Sequence, residues 1–244
     1  ESGNGDCSML VETQSRDGAS IPGPVLPGQE NRSGFILRST PKGETVWASP
    51  ILSLPFPGDA CLSDQSCNIF VSDVAISKKG NIYVAGYHKG GALFESFDDP
   101  ALYPPQHQEG QYGLSAFIAR YRAGGGLVWV KSITATEILS IEDLDVQTMS
   151  NGDVQVLAAG VLKGTADPLL GNASAKNEDW FFLKITDDVD EQSFNREVII
   201  DQYGFVQSDN YERFMGVALM PDGSFWASGR YYDDITFYKG DSPS

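Results

Sequence analysis

The sequence predicts an all-β repeat protein built of alternating hairpins, and three observations carry that expectation. A glycine turn flanked by apolar strands returns at a near-constant interval: Gly80, Gly152 and Gly223 lie 72 and 71 residues apart. A second kind of hairpin, with an aromatic residue 12 positions before a tryptophan (Phe35 to Trp47, Phe117 to Trp129), alternates with the first. No long stretch shows the period of an amphipathic helix. Self-similarity at a fixed spacing marks a repeat architecture, in which each unit buries its apolar face against its neighbours.

Composition sets the outer bounds. A chain of 244 residues, 41% hydrophobic and 11% aromatic, has material for one large all-β domain or two ordinary ones. A formal charge of −16 and a pI near 4.3 argue against nucleic acid as a partner, because phosphate backbones require a basic surface. They also argue against adhesion to anionic membranes, and no apolar run is long enough for insertion into a bilayer. The chain begins at Glu1 without Met, which suits a processed precursor or an excised segment.

Residues 1–32 read as an extended arm rich in Pro and Gly, with Met9–Thr13 its single strand-like piece. Such an arm is a strap over its own domain or a strand added to a neighbour's sheet edge. Cys7 lies in it, as a free thiol, half of a longer-range bond or a cross-link between subunits. Cys61 and Cys67 bracket five residues of a polar loop, a span that a disulfide closes. Zinc is disfavoured there, since no second Cys or His pair completes four ligands. A disulfide points to an extracellular or cell-surface location. So do the sequons at Asn31 and Asn172, which mark exposed loops if a glycosylating cell secretes the protein.

The repeat domain is expected over residues 33–238, with a short tail at 239–244. Hairpins of the first kind cover 70–94, 141–164 and 213–237. Those of the second kind cover 34–51, 115–133 and 179–200, the last with Phe194 in the place of the tryptophan. That makes six alternating hairpins and about 12 strands. Gly160 falls two residues later than Gly86 and Gly229 relative to the turn glycines, which suggests a bulge. The long connections at Cys61–Cys67 and 95–114 are placed to make specific contacts. The acidic run Asp187–Glu191 reads as a solvated hairpin tip, with calcium binding as the alternative.

Only His88 and His107 offer an imidazole, and neither belongs to a metal-spaced cluster or a nucleophile–base arrangement. The run Gly124–Gly126 separates two strands and reads as turn chemistry. Asp73 and Asp145 both precede a turn glycine by seven residues, while the third copy has Gly216 there. Repeated carboxylates admit a cation site or a glycosidase pair; hydrogen bonding at strand ends is the simpler account. Tyr103, Tyr112, Tyr231 and Tyr232 are placed to stack on sugars, although most aromatics here suit the core between sheets.

Val74-Ala75-Ile76, Gly80–Tyr87, Ala116–Tyr121 and Val128-Trp129 together resemble the bacterial secreted β-propeller repeat family often labelled SBBP. The likeness covers about residues 33–238. It implies propeller-like, four-stranded blades, about three from the six hairpins, in a secreted or surface protein, with no catalytic set to carry over, so function does not follow from fold. Closed propellers typically have about four to eight blades, more than this chain supplies. Its first hairpin lacks a preceding partner and its last lacks a following one, and the two are complementary in kind.

The expectation is therefore a non-catalytic structural or interaction protein without a cofactor. One copy's N-terminal arm and hairpin would complete another's C-terminal blade, giving an oligomer or filament. Phe35, Ile36, Leu37, Trp47, Phe225, Trp226, Ile235 and Phe237 are the expected assembly residues. A carbohydrate-binding module is the alternative, with a glycoside hydrolase third.

Overall fold

The computed structural model describes residues 7–13, 33–54, 67–98, 106–108, 114–166, 170, 174–188, 200–207, 213–231, 234 and 236–241. Strand β1 (Cys7–Thr13) precedes the hairpin of β2 (Ser33–Ser39) and β3 (Thr45–Leu54). A second hairpin, β4 (Asn68–Ile76) and β5 (Ile82–Lys89), leads through short β6 (Gly91–Phe94) and β7 (Gln106–Gln108) to β8 (Ser115–Tyr121) and β9 (Leu127–Ile133). Four elements follow, the first three longer than those before: β10 (Ile138–Thr148), β11 (Val154–Thr165), β12 (Ser174–Asp187) and β13 (Ile200–Gln207). The hairpin of β14 (Arg213–Leu219) and β15 (Phe225–Arg230) precedes β16 (Thr236–Asp241).

One turn design serves five of these hairpins. Gly43, Gly80, Gly125, Gly152 and Gly223 have φ between 81° and 96°. In each, the glycine N–H bonds the carbonyl three residues back, as Gly80 does to Ser77, and a second bond closes the loop, as from Ser77 N–H to the Asn81 carbonyl. Glycine reaches this left-handed conformation without the Cβ clash that other residues meet. The turns therefore fall where the glycine pattern places them.

Among the described residues, antiparallel pairing assembles the strands into four sheets, none closed into a barrel: β1-β2-β3-β6-β7, β4-β5-β8-β9, β10-β11-β12-β13-β16 and β14-β15. The second sheet covers the hairpins expected at 70–94 and 115–133, while in the third β10 and β11 cover 141–164 and β12 covers the first half of 179–200. Each sheet shares a core with the next. Ile36, Trp47 and Ile51 pack with Ile69, Val84 and Phe117 between the first and second sheets. Tyr83, Ile118 and Trp129 pack with Leu144, Val156 and Phe181 between the second and third. Trp180 and Val206 pack with Phe214 between the third and the last. The second sheet is covered on both faces, which explains why β5 is an unbroken apolar run rather than an alternating one.

The structure has more strands than the expected dozen, 16 in all among the described residues, because the connections themselves pair. Strand β6 leaves β5 and joins the outer strand β3 of the preceding sheet. Strand β16 follows β15 in the same way but joins the outer strand β13. Between them, Ala166 after β11 bridges Ala135 after β9. The outer strand of each sheet has an unpaired edge, and the passing connection supplies partners for its N–H and C=O groups. The hairpin expected over 213–237 consequently ends at Arg230, and Phe237 lies opposite Val206 in another sheet. The return strand of the third second-type hairpin is also later than expected, at Ile200–Gln207, leaving Phe194 outside the described residues.

A bulge is present in all three first-type hairpins, not only in the copy that holds Gly160, at Val71/Asp73, Ile141/Asp143 and Phe214/Gly216. Gly86, Gly160 and Gly229 each pair with the residue just before it. At Gly86 and Gly160 the partner strand's Phe70 and Ser140 carbonyls occupy the place of a Cβ. The displacement of Gly160 thus follows a bulge that is itself farther from the turn.

Candidate assembly edge

Two sets of contacts tie each sheet to the next. The first comes from a cationic residue three positions after the leading aromatic of each second-type hairpin. Arg38 Nη1 donates to the Ala123 carbonyl at 2.8 Å, and the indole N–H of its cross-strand partner Trp47 donates to the same oxygen at 2.9 Å. Arg120 and its partner Trp129 repeat this one sheet later, donating to Asp187 Oδ1 at 3.2 and 3.4 Å. The Tyr83 hydroxyl donates to Asp187 Oδ2 at 2.6 Å; burial, then the Asp187 charge, push that phenol far above its ordinary pKa. Lys184, third in the series, reaches the Gly223 carbonyl at 3.2 Å. Arg38 bonds the turn between β8 and β9, and Asp187 ends β12 just before the corresponding connection. Lys184 instead bonds the turn between β14 and β15, because the last sheet has no third and fourth strands among the described residues.

The second set runs between the first strands of successive sheets. Asp73 Oδ2 on β4 accepts the Leu144 N–H of β10 at 2.9 Å. On β10, Asp143 and Asp145 accept the N–H groups of Val217 and Leu219 in β14 at 2.6 and 2.7 Å. The outward N–H groups of these edge strands would otherwise lack partners. Burial, and next the neighbouring Asp143 carboxyl, raise the pKa of Asp73 to about 6. Asp73 and Asp145 also each accept the N–H of the following residue, Val74 or Val146. The geometry matches the hydrogen-bonding account of these carboxylates. Gly216 stands where the third carboxylate would be, and the Asp143 carboxylate lies 3.2 Å from the position its Cβ would take.

At the C-terminal end this system stops. Strand β15 pairs with β14 on one side and, among the described residues, with nothing on the other. Its equivalent β5 is almost wholly buried, whereas β15 is exposed from Trp226 to Arg230. Trp226 is 72% exposed, while Tyr83, at the same distance from its turn glycine, is 0% exposed. Met215, Met220 and Tyr231 add further exposed apolar surface to this hairpin. The orientation of the open edge follows from the staples. Val217 and Leu219 point their N–H groups away from β15, so their partners Ala227 and Phe225 point theirs outward along it.

The N-terminal end differs from expectation. The hairpin β2–β3 does not present an empty edge, because β1 pairs along all of β2, from Cys7 opposite Ser39 to Thr13 opposite Ser33. Its outward face carries Phe35, Leu37, Ala48, Pro50 and Leu52, all half-buried, while Ile36 and Trp47 are buried in the chain's own core. The expected assembly residues therefore divide. Phe35, Leu37 and Trp226 lie at open surfaces, Phe225 packs on Phe182 with ring centroids 4.7 Å apart, and Ile235 lies outside the described residues.

Other sequence candidates take structural places. His88 is buried, its Nδ1 donating to the Gly90 carbonyl at 2.7 Å and its Nε2 lying 2.7 Å from Ser132 Oγ. His107 contributes its backbone to β7 opposite Leu93. Asp187 is buried in the Arg120 ion pair rather than solvated, which corrects the reading of the acidic run at its first residue. Asn31, Cys61, Tyr103, Tyr112, Asn172 and Tyr232 lie outside the described residues, while Cys67 is buried at the entrance to β4. Among the described residues no group of three or more His, Cys, Asp or Glu is placed to hold a metal ion, and no helix is long and apolar enough to cross a membrane.

Arg38, Arg120, Lys184 and Asp143 were not singled out by sequence. The cations had a usable signal, their constant offset from Phe35, Phe117 and Phe181. Asp143 had none, because its equivalents in the turn alignment are Val71 and Phe214. Comparison with known protein families and with curated proteins finds no family and no protein that matches this chain.

Proposed function

We propose that this chain is a non-catalytic extracellular structural protein of propeller-like blades that assembles with copies of itself. The hairpin β14–β15 is the first half of a blade, and β2–β3 of a neighbouring copy supplies the second half. The open edge of β15 carries this reading: a strand buried in its two counterparts is here exposed, with a tryptophan uncovered. The reach of Lys184 to a first-hairpin turn supports it, since Arg38 and Arg120 reach further along the next sheet. A contact between different surfaces on each copy is heterologous, so it gives a ring if the rotation closes and a filament if it does not. The cysteine spacing and the two sequons support secretion, with a Cys61–Cys67 disulfide and glycans on Asn31 and Asn172.

The test is sedimentation velocity and electron microscopy of the purified chain over a wide concentration range, beside an Ala227→Pro variant. Proline there removes an outward N–H and leaves the pairing with β14 intact. The expected result is concentration-dependent particles for the native chain and monomers for the variant. A native chain that stays monomeric throughout rejects the reading.

A further inference from the structure

We propose that β1 is a placeholder, a strand that occupies on β2 the position taken in the assembly by β15 of a second copy. This rests on the self-assembly reading and adds the mechanism of exchange. Within the second sheet, the third strand β8 pairs with the second strand β5, Gly86 opposite Phe117 and Val84 opposite Ala119. Strand β2 is the counterpart of β8, matching Phe35 to Phe117, and β15 is the counterpart of β5, matching Gly229 to Gly86. Carried over, that register sets Gly229 of one copy opposite Phe35 of another, and Ala227 opposite Leu37. Those positions on β2 are held by β1, with Val11 opposite Phe35 and Met9 opposite Leu37.

The packing on the next sheet agrees. Strand β4 lies against β1 and β2 as β10 lies against β5 and β8, so β1 fills the role of a second strand both in pairing and in stacking. It does so without the rest of the motif. In the second and third sheets the second strand leaves a glycine turn and pairs with a first strand, whereas no first strand pairs with β1 among the described residues. The hairpin β14–β15 has that first strand and turn but, among the described residues, lacks a third strand. Replacing β1 by β15 would give one sheet with all four positions filled. In the free chain, β1 protects the β2 edge, because an uncovered edge is a template for indiscriminate pairing.

The register offers a test with one substitution in the full chain. Ser39→Cys puts a thiol opposite Cys7 on the paired strands, a cross-strand Cα separation of about 5.5 Å that a disulfide spans. The oxidised variant should remain monomeric at concentrations where the native chain assembles, and mild reduction should restore assembly. A second measurement fixes the register. In a Cys7→Ser background, mixing an Ala227→Cys chain with a Leu37→Cys chain should give a disulfide between copies, and Ala227→Cys with Phe35→Cys should give far less. Oxidised Ser39→Cys that assembles as readily as the native chain overturns the placeholder while leaving self-assembly intact. Failure of the Cys7 bond to form, judged by mass spectrometry of non-reduced peptides, overturns the β1 register and the proposal with it. Absence of assembly in the native chain removes both proposals.

Discussion

Arg120 and Asp187 meet at 3.1 Å with side chains 3% and 2% exposed, joining the third strand of one sheet to the third strand of the next. Tyr83 and Trp129 donate to the same carboxylate. Two charges so completely desolvated repay their cost only through this dense set of hydrogen bonds.

Removing one partner leaves the other buried and uncompensated. Arg120→Ala is expected to lower stability by about 3–5 kcal/mol, read from the urea midpoint at constant slope. The paired replacement Arg120→Met with Asp187→Leu should cost much less, since neither charge then remains in the core. Equal losses for the single and paired variants would show that packing volume, rather than charge, governs this site.

Asp73 gives a pH dependence of defined sign. Its folded-state pKa is raised from 3.8 to about 6, so between those values the folded chain holds a proton that the unfolded chain has released. Its contribution is present in full below the unfolded value and is lost as pH rises toward about 6. Asp73→Asn removes the titration and keeps an acceptor for Leu144. The difference in unfolding free energy between native and variant chains should thus shift in favour of the variant from pH 4 to pH 7, about the window above. A difference independent of pH would contradict the raised value.

The acidic staples on β10 predict a local effect. Asp143→Ala and Asp145→Ala each strip a buried or half-buried strand-edge N–H of its acceptor, at Val217 and Leu219. Each should cost about 1–3 kcal/mol. Amide exchange of β14 should accelerate well before that of β5 or β11, as the last hairpin has the smallest shared core. Unchanged protection at both amides would mean that solvent serves them equally well.

Glycines of two kinds should respond differently to alanine. At Gly86 a Cβ would overlap the Phe70 carbonyl oxygen, which is backbone and cannot turn aside. Gly86→Ala should therefore disrupt the β4–β5 pairing and depress soluble yield or thermal midpoint sharply. At Gly43, with φ of 83°, nothing lies within 4 Å of the added atom. Gly43→Ala should cost only its left-handed strain, about 1–2 kcal/mol.

The amino-acid sequence by itself determined the turns, the two alternating kinds of hairpin and the four strands of the second sheet. Each rests on local chemistry: a glycine at positive φ, or an apolar run long enough for one strand. It also showed that the first and last hairpins differ in kind. The tertiary structure alone decided where β6 and β16 go, since a short segment with weak strand signals pairs wherever an edge is free nearby. It placed Asp187 inside an ion pair because Arg120 approaches from a strand far away in the chain, which no reading of a local acidic run can register. It set β1 on β2, and left β15 open, for the same reason: strand edges are satisfied by proximity in space, and proximity between distant segments is settled only when the sheets stack.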